Sequence, residues 1–245
     1  MTWPWHTFSS GRSLMVAALI ATLAMPVYSA TVSGRVELRD SNDAAVVKSR
    51  NYSGVVVWLK PSNSVPAAPV HARMVQSDKR FSPHILAVAS GTRVDFPNLD
   101  PIFHNAFSNF DGQLFDVGLY PPGGKRSVKF ERPGIARVFC NIHPMMSAVI
   151  VVVDGPYFAI SGKDGVFQIE NVPPGDYQLQ VFHERATQET LDKLGRRTVV
   201  LAPETTLALI SISESGYLMM PHKNKFGRDY PPASEEGLTY PGAKK

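Results

Sequence analysis

Short runs of alternating or β-branched residues, each closed by glycine or proline, follow one another from residue 34 to residue 212 and leave little room for helix. In residues 34–40, Val36 and Leu38 alternate with Arg35, Glu37 and Arg39. Residues 54–59 are a β-branched run ending at Lys60-Pro61, and residues 84–89 and 92–96 flank a Ser90-Gly91 turn. Val128 and Phe130 alternate with Ser127 and Lys129 after Pro121-Pro122-Gly123-Gly124. Residues 135–140 follow Pro133-Gly134, and residues 148–153 are continuously apolar. Residues 166–169 and 177–182 lie on either side of Pro173-Pro174-Gly175, and residues 207–212 make one more strand. The pattern predicts an all-β sandwich protein. The best helical candidate is the polar stretch 187–194, which suits a loop equally well.

The first thirty residues differ in kind. Arg12 carries their only formal side-chain charge, an apolar stretch fills 14–24, and Pro26, Ser29 and Ala30 follow. That order predicts a secretory signal peptide cleaved near Ser29 or Ala30, and hence a periplasmic or secreted protein. The stretch is too short to cross a bilayer core of about 30 Å comfortably, and no comparable run recurs, so no membrane span is expected. No cysteine follows the run to carry a lipid anchor. The net charge of +4 is spread along the chain without a basic block, which argues against a nucleic-acid partner. Beyond Met220 the chain is rich in Pro, Gly, Tyr and charge, and residues 216–245 read as an extended or disordered tail.

Cys140 is the single cysteine. In an oxidising compartment it has no internal disulfide partner, so it is either a buried inert thiol or a metal ligand. Its neighbours favour the second. Cys140-Asn141-Ile142-His143-Pro144-Met145-Met146 reads C-x-x-H-x-x-M, and Phe103-His104-Asn105 stands upstream. Two imidazoles, a thiolate and a thioether are the ligand set of a trigonal His₂Cys copper site with a weak axial Met. On a strand Ala136, Val138 and Cys140 share one face, so Cys140 points inward at the strand end. Pro144 stiffens the following loop by fixing φ. His104 must arrive from a separate strand, and Asn105 is placed to tie the two ligand loops together. Met145 and Met146 are adjacent, and only one can be axial. His71, His84, His183 and His222 read as structural, and Met219-Met220-Pro221-His222 as an adventitious cluster rather than a second, loose copper site.

Those motifs, with the valine-rich strand running to Asp154, resemble the cupredoxin family, and specifically its amicyanin/plastocyanin-like, methylamine-utilisation-type members. The two-residue spacing between His143 and the second methionine matches the short amicyanin loop. Lys79-Arg80-Phe81-Ser82-Pro83, Ser90-Gly91-Thr92 and Asn98-Leu99-Asp100 resemble the entry strands of the same family. The resemblance spans roughly residues 71–154. It implies a Greek-key cupredoxin sandwich, one type 1 copper held by His104, Cys140, His143 and Met146, and one-electron transfer between redox proteins. A periplasmic dehydrogenase and a c-type cytochrome are the partners it implies. Residues 162–184 resemble instead the hairpin of a carboxypeptidase regulatory-like, transthyretin-type sandwich. That family's opening strands resemble residues 33–38 and 53–59. The arrangement expected is a smaller discontinuous domain, 31–70 with 155–215, into which the cupredoxin is inserted. The alternative is that both N-terminal strands extend the cupredoxin sheet.

Electron carriage is the leading function, with Ile142, Pro144 and Met145 offering an apolar docking surface around His143. An enzyme such as a multicopper oxidase or copper nitrite reductase needs a second copper wired through a histidine beside the cysteine. Phe139 and Asn141 flank Cys140, so catalysis is not expected. The other alternative is copper storage or delivery, or a cell-envelope binding module with a copper site.

Overall fold

The computed structural model describes residue 1 and residues 29–63, 65–68, 70–109, 112–195, 197–201, 204–218 and 221–231. The apolar stretch read as a signal peptide and the last fourteen residues of the tail lie outside the described residues. So do Met219 and Met220. Among the described residues no helix is long and apolar enough to cross a membrane.

The chain is all-β. It opens with β1 (Ala30–Arg39), a one-turn helix α1 (Ala44–Ser49) and β2 (Val56–Pro61). Next come β3 (His71–Arg73), β4 (Val75–Ser77), β5 (Arg80–Ser82), β6 (Ile85–Ala89) and β7 (Thr92–Pro97). They are followed by β8 (Phe107–Ser108), β9 (Phe115–Asp116), β10 (Lys125–Phe130), β11 (Gly134–Phe139) and β12 (Ser147–Val153). The last third holds β13 (Phe158–Ile160), β14 (Val166–Val172), β15 (Gly175–Phe182), α2 (Gln188–Leu194), β16 (Thr198–Leu201), β17 (Glu204–Thr206) and β18 (Ile210–Ser213).

The first and last thirds pair with each other. β1 runs antiparallel to β14 and parallel to β17 and β18, while β2 lies between β13 and β15 in a second sheet ending at β16. Alternation along β1 sends Val32, Val36 and Leu38 to one side, where they meet Leu59, Ile169, Leu179 and Ile212 in a common core. Gly34 lies opposite Phe167 in this register, and the ring covers it so closely that a Cβ would collide with it. The middle third makes its own sheets, β6-β12-β11-β8-β9 and β10-β7-β3, around a separate core containing Phe96, Tyr120, Phe130, Val138 and Ile150.

The uninterrupted apolar run of β12 now has a physical reason. Ala148, Ile150 and Val152 face the middle-third core, whereas Val149, Val151 and Val153 pack with Val56 and Phe182 of the other sheets. A strand covered on both faces has no polar side to alternate with. Helix α2 forms where the polar stretch left helix and loop open, because the Thr187 hydroxyl accepts from the Thr190 N–H and caps it. β3 to β5, β8 and β9 are only two or three residues long, too short to carry a legible period. Residues 207–209 precede β18 rather than joining it, with Leu207 N–H donating to the Ser33 carbonyl.

A polar clasp sits at the edge of the contact between the two sets of sheets. His84 Nε2 lies 2.7 Å from Glu184 Oε2, and its Nδ1 3.1 Å from the Ser147 carbonyl. The Glu184 hydrogen bond outweighs burial and raises the His84 pKa above 6.5. Burial pushes Glu184 upward, but His84 and the Arg185 and His183 charges beside it hold it below 4.5. The His84 contribution is complete below its unfolded pKa and is lost as pH rises through the raised folded value. That of Glu184 is complete above its unfolded value and is lost as pH falls through the depressed one. Glu184→Gln is therefore expected to lower the Tm most near about pH 5.5, where both contributions overlap, and least near about pH 8. Thermal melts across that range check it; a Tm difference that does not vary with pH would rule out an ionic clasp.

Candidate metal centre

Cys140 follows directly on β11, so the strand alternation that buries Ala136 and Val138 also turns its thiol into the middle-third core. The chain then folds back at once. Met146 N–H donates to the His143 carbonyl and Cys140 N–H to the Met146 carbonyl, closing a tight loop before β12 begins. His104 comes from a different part of the fold, where its backbone pairs with Tyr120 in an isolated bridge. Cys140 and His104 are fully buried and His143 is half-buried.

His104 Nδ1 lies 3.9 Å and His143 Nδ1 3.5 Å from Cys140 Sγ. The two imidazoles meet edge to face with ring centroids 4.8 Å apart. One nitrogen from each ring and the sulfur thus face one another with all separations within 4.8 Å. Among the described residues this is the one such cluster of His, Cys or acidic side chains. Burial separates the adjacent methionines: Met146 is completely enclosed in the core that contains Cys140, and Met145 is 87% exposed. Pro144 and Met145 are exposed beside His143, and Ile142 is half-buried.

The electrostatics keep the cluster neutral in the absence of a cation. Burial raises the Cys140 thiol, against the pull of backbone N–H groups of Ile142, Asn105 and His143. Burial, with the neighbouring His104 next, lowers His143 to about 4. Burial also lowers His104, although Asp100 opposes it. At neutral pH both imidazoles therefore present a free lone pair, as metal ligation requires.

Asp100 is the functional partner that residue-type reasoning missed. His104 Nε2 donates to Asp100 Oδ2 at 2.7 Å, which leaves Nδ1 unprotonated and aimed at the sulfur. The carboxylate is itself fixed by the backbone N–H groups of Asp78 at 2.6 Å and Lys79 at 2.9 Å. Burial pushes Asp100 upward, and these three donors overcome it and hold it below its ordinary value. Only its position four residues before His104, in a turn, hints at this in the sequence.

Asn105 joins the segments that carry His104 and Cys140. Its Oδ1 accepts from Asn141 N–H at 3.3 Å, and its Nδ2 donates to Asp116 and to the Gly118 carbonyl. Histidines elsewhere have ordinary partners. His183 bonds buried Glu214 at 2.7 Å, His84 bonds Glu184, and exposed His71 opens β3. The described part of the tail, 221–231, lies against the loop from Cys140 to Met146. His222 Nε2 lies 2.6 Å from the Pro144 carbonyl, Tyr230 Oη 2.8 Å from the Cys140 carbonyl, and Lys225 N 3.0 Å from Asn141 Oδ1.

No family model matches the chain, and no curated protein does. Solved structures similar to part of it include a purple cupredoxin from Nitrosopumilus maritimus, 24% identical with a TM-score of 0.31. That likeness covers 34% of this chain and 99% of the other. A copper-containing nitrite reductase from Thermus scotoductus is 20% identical over 48% of this chain and 28% of its own, at a TM-score of 0.33. A point mutant of amicyanin in its Cu(I) form is 16% identical over 40% of this chain and 98% of its own, also at 0.33.

Proposed function

We propose that this protein holds one copper ion in a type 1 site and carries single electrons between redox partners. His104 Nδ1, Cys140 Sγ and His143 Nδ1 would form the trigonal plane, and Met146 would supply the weak axial thioether. The observation that carries the reading is the mutual facing of one sulfur and two ring nitrogens in a buried cluster. An ion with metal–ligand bonds of about 2.0–2.3 Å in a trigonal plane needs donor atoms roughly 3.5–3.8 Å apart. The sulfur-to-nitrogen separation of 3.5 Å to His143 falls within that spacing, and the 3.9 Å to His104 lies just above it. Soft sulfur suits Cu(I) and imidazole also suits Cu(II), so a ligand set that combines them would support both states.

His143 would be the electron port, with Pro144 and Met145 as an apolar rim suited to brief encounters. We further propose an exported protein with no catalytic activity of its own, whose partners are redox proteins such as a dehydrogenase and a c-type cytochrome. The strands of residues 30–61 and 158–213 would form a second, supporting domain around the inserted copper domain.

The test is the visible spectrum of the mature protein loaded with Cu(II), before and after ascorbate. An intense blue thiolate-to-copper band that bleaches on reduction is expected. A colourless protein with stoichiometric copper would point to storage or delivery, and one that takes up no copper would end the proposal.

A further inference from the structure

Nothing in the tail's composition suggests that it touches the ligand loop, yet residues 222–230 contact it at successive points. Tyr230 O–H donates to the Cys140 carbonyl at 2.8 Å. His222 Nε2–H donates to the Pro144 carbonyl at 2.6 Å, while its ring stacks on Phe139 with centroids 4.1 Å apart and planes 23° from parallel. The Tyr230 ring stands edge-on to His222 at 5.1 Å. Between these two residues the chain turns, with Asn224 Oδ1 accepting from the N–H groups of Phe226 and Arg228. At the turn Lys225 N–H donates to Asn141 Oδ1 and Lys225 Nζ to Asp116 Oδ2 at 2.7 Å. Asp116 also accepts from Asn105 beside His104, so Lys225 joins the network that links both ligand loops.

We infer that the segment from His222 to Tyr230 is a brace that positions the copper-ligand loop from its outer side, with Tyr230 and His222 as the positioning residues. This rests on the reading of His104, Cys140, His143 and Met146 as copper ligands. The inner side of the loop is held by its own Cys140–Met146 and Met146–His143 hydrogen bonds and by Asn105. The outward carbonyls of Cys140 and Pro144 receive donors from the brace, on both sides of His143. Holding the two ends of the loop limits the wandering of His143 while leaving its neighbours Pro144 and Met145 exposed. A ligand set held this way rearranges little between oxidation states.

Each net hydrogen bond shifts a local opening equilibrium by roughly threefold to tenfold. The double variant His222→Ala/Tyr230→Phe, made in the full chain without copper, is therefore expected to speed amide exchange at Ile142, His143, Met145 and Met146 by about tenfold or more. Exchange in β7 and β12 should stay at the wild-type rate. With copper bound, extraction by a chelator should accelerate by a similar factor. Tyr230→Phe alone should lower the midpoint potential, because Cys140 loses a donor that withdraws electron density. Lys225→Ala removes the Nζ–Asp116 contact but keeps the backbone bond to Asn141 and touches neither carbonyl, and should raise loop exchange by about threefold. Wild-type exchange at the four loop amides in both the double variant and Lys225→Ala would overturn the inference. If the loop amides respond but the wild-type protein takes up no copper, the brace stands and the copper reading fails.

Discussion

Cys140→Ala is expected to abolish the blue absorption of the copper-loaded protein completely, while the fold survives. The band requires a thiolate bound to Cu(II), and Cys140 is the single cysteine in the chain, so no other residue can supply it. The remaining donors are two imidazoles and a thioether, which still bind copper, but weakly and without the charge-transfer colour. Removing a buried sulfur leaves a small cavity in a core that includes Val138, Met146 and Ile150, at a cost of about 1–2 kcal/mol. A spectrum, a copper titration and a thermal melt separate these effects. A variant that stays blue would eliminate Cys140 as the ligand.

The second large effect is expected from Asp100→Asn. In the native site one carboxylate oxygen accepts from Asp78 N–H, and the other from Lys79 N–H and His104 Nε2–H. All of these are donors. An asparagine offers one oxygen and one NH₂, so whichever way it turns, a donor faces a donor. Either His104 loses the bond that selects its tautomer or the turn at Asp78 and Lys79 loosens. Loss of an outer partner to a metal-bound histidine typically costs about 10–100-fold in affinity, and that range is expected here for copper. The midpoint potential should rise, because a negative charge beside His104 favours the higher oxidation state. Chelator competition and a redox titration measure both. An affinity within about twofold of wild type would show that His104 is oriented by packing alone.

Much of the site was legible in residue types and spacing. C-x-x-H at the end of an alternating strand turns a thiol inward and brings a histidine back to it three residues later. The long strands were legible for the same reason: a period of two is written in β1, β14 and β15, and continuous apolarity in β12. The very short strands were not, because two or three residues carry no period and are held by their neighbours.

Sequence by itself therefore determined the all-β class, the main strands and the chemistry of the cluster, since side-chain alternation and donor type are properties of a few consecutive residues. Tertiary structure decided which strands share a core. β1 pairs with β14, β17 and β18 across more than a hundred intervening residues. It also decided which methionine is enclosed, that Asp100 rather than solvent meets His104 Nε2, and that His222, Lys225 and Tyr230 reach the ligand loop from about eighty or ninety positions away. The tail contacts join residues far apart in the chain through single hydrogen bonds, and a single hydrogen bond leaves no pattern in a sequence.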